Sequence, residues 1–335
     1  MIFITGNSRS GTTIMGLFLG NHERIFTFHE IHFFEQLVDE KNLQRKITLS
    51  DAIGLLANLI PIQRNGYLSK TDKNSYQSEA KNLLLNSRNI NIHSLTNIKV
   101  YEEYLIYETG NQKKTIPCEQ TPRNLFYTEA ILKNYPLSKI VNMTRDSRSV
   151  LLSQKNKWKR RFLGAKNIPL KEALRSWANY HPIITSKLWD SALKQSENYK
   201  GHKSYKNVYF EKQINDPEST VKSICDFLEI DFRTKMLEVP HIGSPTGKDG
   251  SSIKGIRKDR IATWKNGLTS EEIFICQKIT GKPLIKHGYK LKDVKVNYFR
   301  LVLLYATLPI KLTASFILNI GRYKNLVTSI KKRLT

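Results

Sequence analysis

Acidic residues are scarce. Aspartate and glutamate number 29 against 54 lysines and arginines, a formal charge of +25 over 335 residues. A surplus of that size calls for anionic company: phosphates, acidic glycan, nucleic acid or an anionic membrane. Cysteine is scarce too. Cys118, Cys225 and Cys276 are widely spaced and odd in number. That excludes a disulfide framework and a zinc pattern, and it points to a reducing compartment. No charged leader with a long apolar run stands before the first apolar segment, so the expectation is a protein without a secretory signal, kept on the cytoplasmic side. Internal repeats and low-complexity linkers are missing as well. Apolar residues at 40% and charged residues at 25% exclude a disordered or fibrous chain, and the length suffices for one large core.

What is present is an alternation of short apolar runs with helical ones. Residues 2–5, 24–28, 115–119, 139–144 and 207–210 read as strands. Residues 12–20, 124–134, 147–159 and 170–193 read as helices, and Asp216-Pro217-Glu218 caps another that runs to Leu228. Residues 41–111 read as a mostly helical insert. Strands alternating with helices predict an α/β fold: a mostly parallel sheet of about five strands covered on both faces. Residues 1–293 are expected to form one domain, followed by a basic, apolar helical tail over 294–335.

The segment Ile2-Phe3-Ile4-Thr5-Gly6-Asn7-Ser8-Arg9-Ser10-Gly11-Thr12-Thr13 is strand, loop, helix. Gly6 and Gly11 have the spacing of a nucleotide P-loop. Glycines let backbone N–H groups turn inward, and the helix N-terminus adds partial positive charge, so such a loop cradles an oxyanion. The lysine that a nucleoside triphosphatase needs after the second glycine is missing; Thr12 stands there, and the cation is Arg9 inside the loop. That speaks against ATP or GTP hydrolysis.

With its Arg9-Ser10-Gly11-Thr12-Thr13 run, this segment resembles the first cofactor motif of the sulfotransferases that use 3′-phosphoadenosine 5′-phosphosulfate (PAPS). The pattern is nearest to the bacterial glycan and protein-tyrosine branches. The resemblance implies a P-loop-like three-layer domain in which residues 7–13 bind the 5′-phosphate and the sulfuryl group. Two further segments carry it. Arg145-Asp146 after a strand, with Ser153 eight positions beyond the arginine, resembles the family's 3′-phosphate motif. Arg257-Lys258, followed by Trp264-Lys265-Asn266, resembles its late phosphate loop, although Asp259 replaces the usual glycine. Val208-Tyr209-Phe210-Glu211 resembles another family segment, with Phe210 in place of a common tyrosine.

Sulfuryl transfer needs a base for the acceptor hydroxyl and cations where charge builds, with positioning and electrostatics carrying the reaction. Thr27-Phe28-His29-Glu30-Ile31-His32 follows the second strand. The resemblance implies Glu30 as the base, with His29 as the runner-up and Arg9 as the cation. Gln120-Thr121-Pro122-Arg123 resembles a segment that usually reads Lys-Thr-Pro. The neutral Gln120 leaves the cationic role to Arg9, helped by Arg123. No acidic metal pair is evident, so a reaction without metal is expected. The basic run Lys155, Lys157, Lys159, Arg160, Arg161 reads equally as a solvated helix end or as the rim for an acidic acceptor.

The expected partners are PAPS, its product 3′-phosphoadenosine 5′-phosphate (PAP), and a saccharide or glycolipid acceptor; nucleic acid is not expected. A P-loop kinase and a non-enzymatic basic nucleic-acid- or membrane-binding protein are the alternatives. In the tail, Pro309 is expected to break a helix and Lys311 to forbid a clean membrane span. Two readings stand for it: helices packed on the core, or an arm lying on an anionic membrane, peripheral at its inner face.

Overall fold

The computed structural model describes residues 1–68, 72–163, 168–240 and 261–320. Five parallel strands run in the order β2-β3-β1-β4-β5: β1 (Ile2–Gly6), β2 (Ile25–Thr27), β3 (Ile116–Gln120), β4 (Lys139–Thr144) and β5 (Tyr205–Tyr209). The central strand β1 pairs on one side with β3, Ile2 opposite Cys118, and on the other with β4, Ile2 opposite Lys139. Parallel neighbours need crossovers, which the helices supply.

Alternation along the strands sorts the core into two layers. Ile2, Ile4, Val141 and Met143 face a layer with Met15 and Phe18 of α1 (Thr12–Gly20) and Ile224 of α10 (Pro217–Leu228). Phe3 and Ile140 face the other layer. Leu56 and Ile60 of α2 (Leu49–Asn65), Leu84 of α3 (Gln77–Asn86) and Tyr101 and Tyr104 of α4 (Asn97–Asn111) complete it. The insert carries these three helices and supplies half of this second layer. Arg64 ties its three helices together through Glu108 at 2.8 Å and Glu79 at 2.7 Å.

Several element ends follow from capping. Asp216 accepts from the Ser219 N–H with Pro217 at the first helical position. Thr269 and Glu272 form a reciprocal capping box at α12 (Ser270–Lys286), which follows the short α11 (Trp264–Gly267).

Three expectations are corrected. The helix read over 147–159 ends as α6 (Ser147–Lys155), and the chain tightens into a 3₁₀ segment, Lys157–Leu163. The helix read over 170–193 is two, α7 (Leu170–Ala178) and α8 (Pro182–Glu197). Pro182 cannot continue a helix but suits the start of one, and the His181 ring accepts the Ile183 N–H. The tail forms a single helix, α13 (Tyr298–Asn319), that runs through Pro309. Hydroxyls from Thr307 to the Leu304 carbonyl and from Thr313 to the Pro309 carbonyl bond the backbone around the proline. The remaining helices are α5 (Thr128–Asn134) and α9 (Phe210–Asn215).

The carboxyl ends of β1 to β4 meet at one edge, where the sheet order diverges to either side of β1; open α/β sheets leave a crevice there. Gly6 closes β1 at φ 145°, and a Cβ built on it would lie 2.4 Å from the Met143 carbonyl oxygen of β4. Gly6→Ala should therefore cost about 1–3 kcal/mol of stability. Urea denaturation of both proteins measures it.

Candidate active site

The loop after β1 is strained where it matters. Arg9 sits at φ 76°, uncommon for a side-chain-bearing residue, and Gly11 at φ 96° caps α1 without a side-chain bond. The Ser10 N–H closes the turn on the Asn7 carbonyl at 3.1 Å. Ser10 is fully buried, and its hydroxyl has no partner among the described residues. A Cβ on Gly11 would meet the Phe210 ring at 2.4 Å.

The second segment converges on the first. Arg145, at the end of β4, donates from Nη1 to the Arg9 carbonyl at 3.1 Å, and its guanidinium lies 4.0 Å over the Phe210 ring. The Trp189 indole donates to the Arg145 carbonyl at 2.8 Å. Ser153, on α6, accepts from Arg9 Nε at 2.9 Å. Phe210, which lacks the hydroxyl of the expected tyrosine, serves as a floor for both the loop and Arg145. Asp146 and Arg148 are spent on structure: Arg148 pairs with Asp146 at 2.7 Å and stacks on Trp264.

Asn7 and Ser8 are partly exposed on the loop, Thr12 is buried at the start of α1, and Thr13 is exposed beside it. Gln120 reaches over α1, its amide 3.5 Å from the Thr13 hydroxyl. Arg257 and Lys258 lie outside the described residues.

The 3₁₀ segment redistributes the basic run. Lys155 is anchored to Glu272 at 2.7 Å. Arg160 comes close enough to Arg9 to repel it, and its buried Nε has no hydrogen-bond partner among the described residues. Burial, with Arg160 and Arg145 nearby, lowers Arg9 to about 10, against a smaller pull from Glu30. Arg9 stays charged at neutral pH.

Glu30 stands across from Arg9 on the segment after β2. Its side chain is 46% exposed, with His32 Nε2 at 3.4 Å. Burial opposes its ionisation, but the His32 contact together with Lys157 and Arg123 outweighs it, and the carboxyl is pulled down to about 2. His32, at φ 57°, faces Glu35 at 3.6 Å on its other side, and Glu35 pairs with Arg123 at 3.0 Å. His29 meets this region through its backbone N–H, which donates to Gln63 Oε1, while its side chain is exposed.

Sequence reasoning missed Arg160 and the His32 partner of Glu30. The i, i+2 spacing of Glu30 and His32 was a signal for the second; nothing distinguished Arg160 within its charge run. It also missed Glu119, which is fully buried at the end of β3. Glu119 accepts from the Thr121 hydroxyl and the Asn124 amide, each at 2.5 Å. The Thr121 oxygen in turn accepts the Ile31 and His32 N–H groups at 3.1 and 3.3 Å. This relay holds the turn that presents Glu30.

The sequence model of the Sulfotransferase family matches residues 2–234, the span that holds the loop, the Arg145 segment and Glu30. The chain belongs to that family. It is a sulfotransferase enzyme. Similar solved structures include a sulfotransferase domain from the curacin biosynthetic pathway, 18% identical, covering 87% of this chain and 98% of that one with a TM-score of 0.48. Another is the sulfotransferase domain of the Synechococcus PCC 7002 olefin synthase, 16% identical, covering 83% and 93% with a TM-score of 0.46. A third is retinol dehydratase in complex with androsterone and the inactive cofactor PAP, 14% identical, covering 89% and 82% with a TM-score of 0.36. No curated protein sequence matches the chain. Among the described residues of the sulfotransferase, no group of three or more His, Cys, Asp or Glu is placed to hold a metal ion.

Glu119 gives the sulfotransferase a measurable pH dependence. Burial raises its carboxyl from 4.5 to about 7, against the Thr121 bond. Between those values the folded protein holds a proton that the unfolded chain has lost, so stability falls as pH rises through that window. The loss should be on the order of 3 kcal/mol, and Glu119→Gln should flatten it. Glu30 acts in a different window: its ion pair stabilises above about 4.5 and is lost as pH falls toward about 2. Urea denaturation across the pH range separates the two.

Proposed function

We propose that this sulfotransferase moves the sulfuryl group of PAPS to a hydroxyl of a saccharide or lipid-linked acceptor, without metal. The observation that carries the donor assignment is the convergence of Arg9, Arg145 and Arg160 beside an anion-cradling loop, with Glu30 the carboxylate that offsets Arg9. Guanidinium groups gathered this closely are suited to a ligand with several negative charges. The buried Ser10 hydroxyl, unpartnered among the described residues, fits a phosphate seated against the loop. Residues 7–13 are assigned to the 5′-phosphosulfate end. Arg145 and Ser153 are assigned to the 3′-phosphate. Arg257 and Lys258 join them on the sequence match alone.

PAPS supplies an activated sulfuryl group whose S–O bond to the 5′-phosphate breaks as the acceptor oxygen bonds to sulfur, PAP leaving with the electron pair. The chain supplies position, charge and a proton acceptor. Arg9 and Arg160 oppose the negative charge that builds on the bridging oxygen, in place of the cation that Gln120 does not provide. Glu30 takes the acceptor proton. A carboxylate held at about 2 is a weak base, and the His32 contact that lowers it also fixes its position.

Two measurements test this reading. Calorimetry should find PAP bound more tightly than AMP, by about 1.5–3 kcal/mol per charged hydrogen bond to the 3′-phosphate, and Arg145→Ala should shrink the difference. Equal affinity for the two nucleotides overturns the roles of Arg145 and Ser153. Glu30→Gln should keep donor affinity and lose turnover by roughly 10²–10⁴, with wild-type activity persisting in EDTA. An active Glu30→Gln beside a dead His29→Ala moves the base to His29. Radiolabelled donor offered with glycan and glycolipid acceptors reads out turnover.

A further inference from the structure

We infer that α7 and α13 form a platform that seats the enzyme flat on an anionic lipid bilayer. The residue pattern of α13 is inside out. The positions turned toward the protein carry its polar groups. Lys311 donates to the Trp177 carbonyl at 2.9 Å and lies 3.0 Å over the Trp177 ring. Ser315 and Asn319 bond Asn179 at 2.6 and 2.9 Å. The positions turned away are apolar and exposed: Phe299, Val302, Ile310, Phe316 and Ile317 are each more than half accessible. A helix on a water-soluble surface shows the opposite arrangement.

The neighbouring helix is exposed in the same way. On α7, Leu170, Leu174 and Trp177 follow one another at helical spacing, and all three are about half exposed, while Ala173, Arg175 and Ala178 are buried. Arg175 donates to the Leu318 carbonyl at 2.8 Å. This many large apolar side chains exposed on two helices packed against each other exceeds the scattered exposure normal for a monomer.

The occupant follows from charge and from how α13 is tied. Residues 294–335 carry eight lysines and arginines and no acidic residue, five of the eight after α13. Basic residues around and after an apolar helix in the sequence match anionic headgroups over acyl chains. The 22 residues of α13 would measure about 33 Å, enough to cross a bilayer. However, bonds from His181 to the Leu304 carbonyl, and from Lys311 through Asn319 to α7 and the turn after it, hold α13 along the body for most of its length. It lies on the membrane rather than through it.

The platform also adjoins the active site. The 3₁₀ segment that brings Arg160 toward Arg9 packs on α7 and exposes Phe162 and Leu163. A lipid-linked acceptor at the headgroup level would meet the site from this side. The platform itself does not depend on the chemistry proposed above.

Flotation of the full-length protein with vesicles tests the inference. It should float with phosphatidylcholine–phosphatidylglycerol vesicles and far less with phosphatidylcholine alone. Leu174→Glu and Phe316→Glu, both at exposed positions, should each lower partitioning about tenfold while leaving thermal unfolding and PAP binding unchanged. Loss through Leu174 distinguishes a two-helix platform from a sticky tail. Tyr298→Cys and Ile320→Cys should both react with an impermeant thiol reagent added outside the vesicles, since the native cysteines are buried. The inference is overturned by a protein that stays soluble with anionic vesicles, by glutamate variants that float like wild type, or by a thiol at one end of α13 that is protected inside the vesicle. It is also overturned if the apolar face instead joins two copies, seen as a dimer that both substitutions dissolve without any flotation. PAP binding reads the active site separately, so failure here leaves the sulfuryl-transfer reading standing.

Discussion

One hydrogen bond organises the proposed anion site. The Arg145 guanidinium reaches from the end of β4 to the carbonyl of Arg9, across the junction of two neighbouring parallel strands. That carbonyl belongs to a residue in a left-handed backbone conformation, which costs roughly 1–3 kcal/mol and persists only where its surroundings demand it. The bond therefore both shapes the loop and fixes a second positive charge beside the first. Phe210 supports the arrangement from below, touching the loop and the guanidinium together. The scaffold holds two guanidinium groups close together, the kind of preorganisation that electrostatic catalysis requires.

The carboxylate side is built by a different route. Glu119 and Thr121, at the end of β3, collect two backbone N–H groups of the Glu30 turn. His32, Glu35 and Arg123 then fix the charge that Glu30 sees. Cation and carboxylate thus come from opposite sides of β1, and the crevice between them follows from the strand order.

Much of this was legible in the chain. The strand over 139–144, the helix over 12–20 and the capping of α10 follow from short-range rules, and those rules placed them to the residue. That Arg145 and Ser153 would meet the Gly6–Gly11 loop was legible because they follow a strand whose end lies beside it. Arg160 was not, because a run of charges carries no direction; the tightening after Lys155 sends one arginine to the site and ties a lysine to Glu272. The break before Pro182 was missed because apolar spacing continued across it. Pro309 was over-read: nearby hydroxyls bond the carbonyls around it. The polarity of α13 was invisible, since periodicity shows that two faces differ but not which one the body takes.

The central place of β1 has a consequence in time. Ile2 cannot meet Cys118 or Lys139 until more than a hundred further residues have left the ribosome, which takes on the order of ten seconds. Through that interval Ile2, Phe3 and Ile4, fully or almost fully buried in the finished protein, have no sheet to join. Sheets built from such distant pairings fold slowly and expose apolar strands meanwhile. The insert, whose helices contact one another at shorter range, can collapse first and offer Phe3 a surface before its strand neighbours arrive. Arg9 finds Arg145 and Ser153 only at the end of that sequence, so the anion site is assembled late.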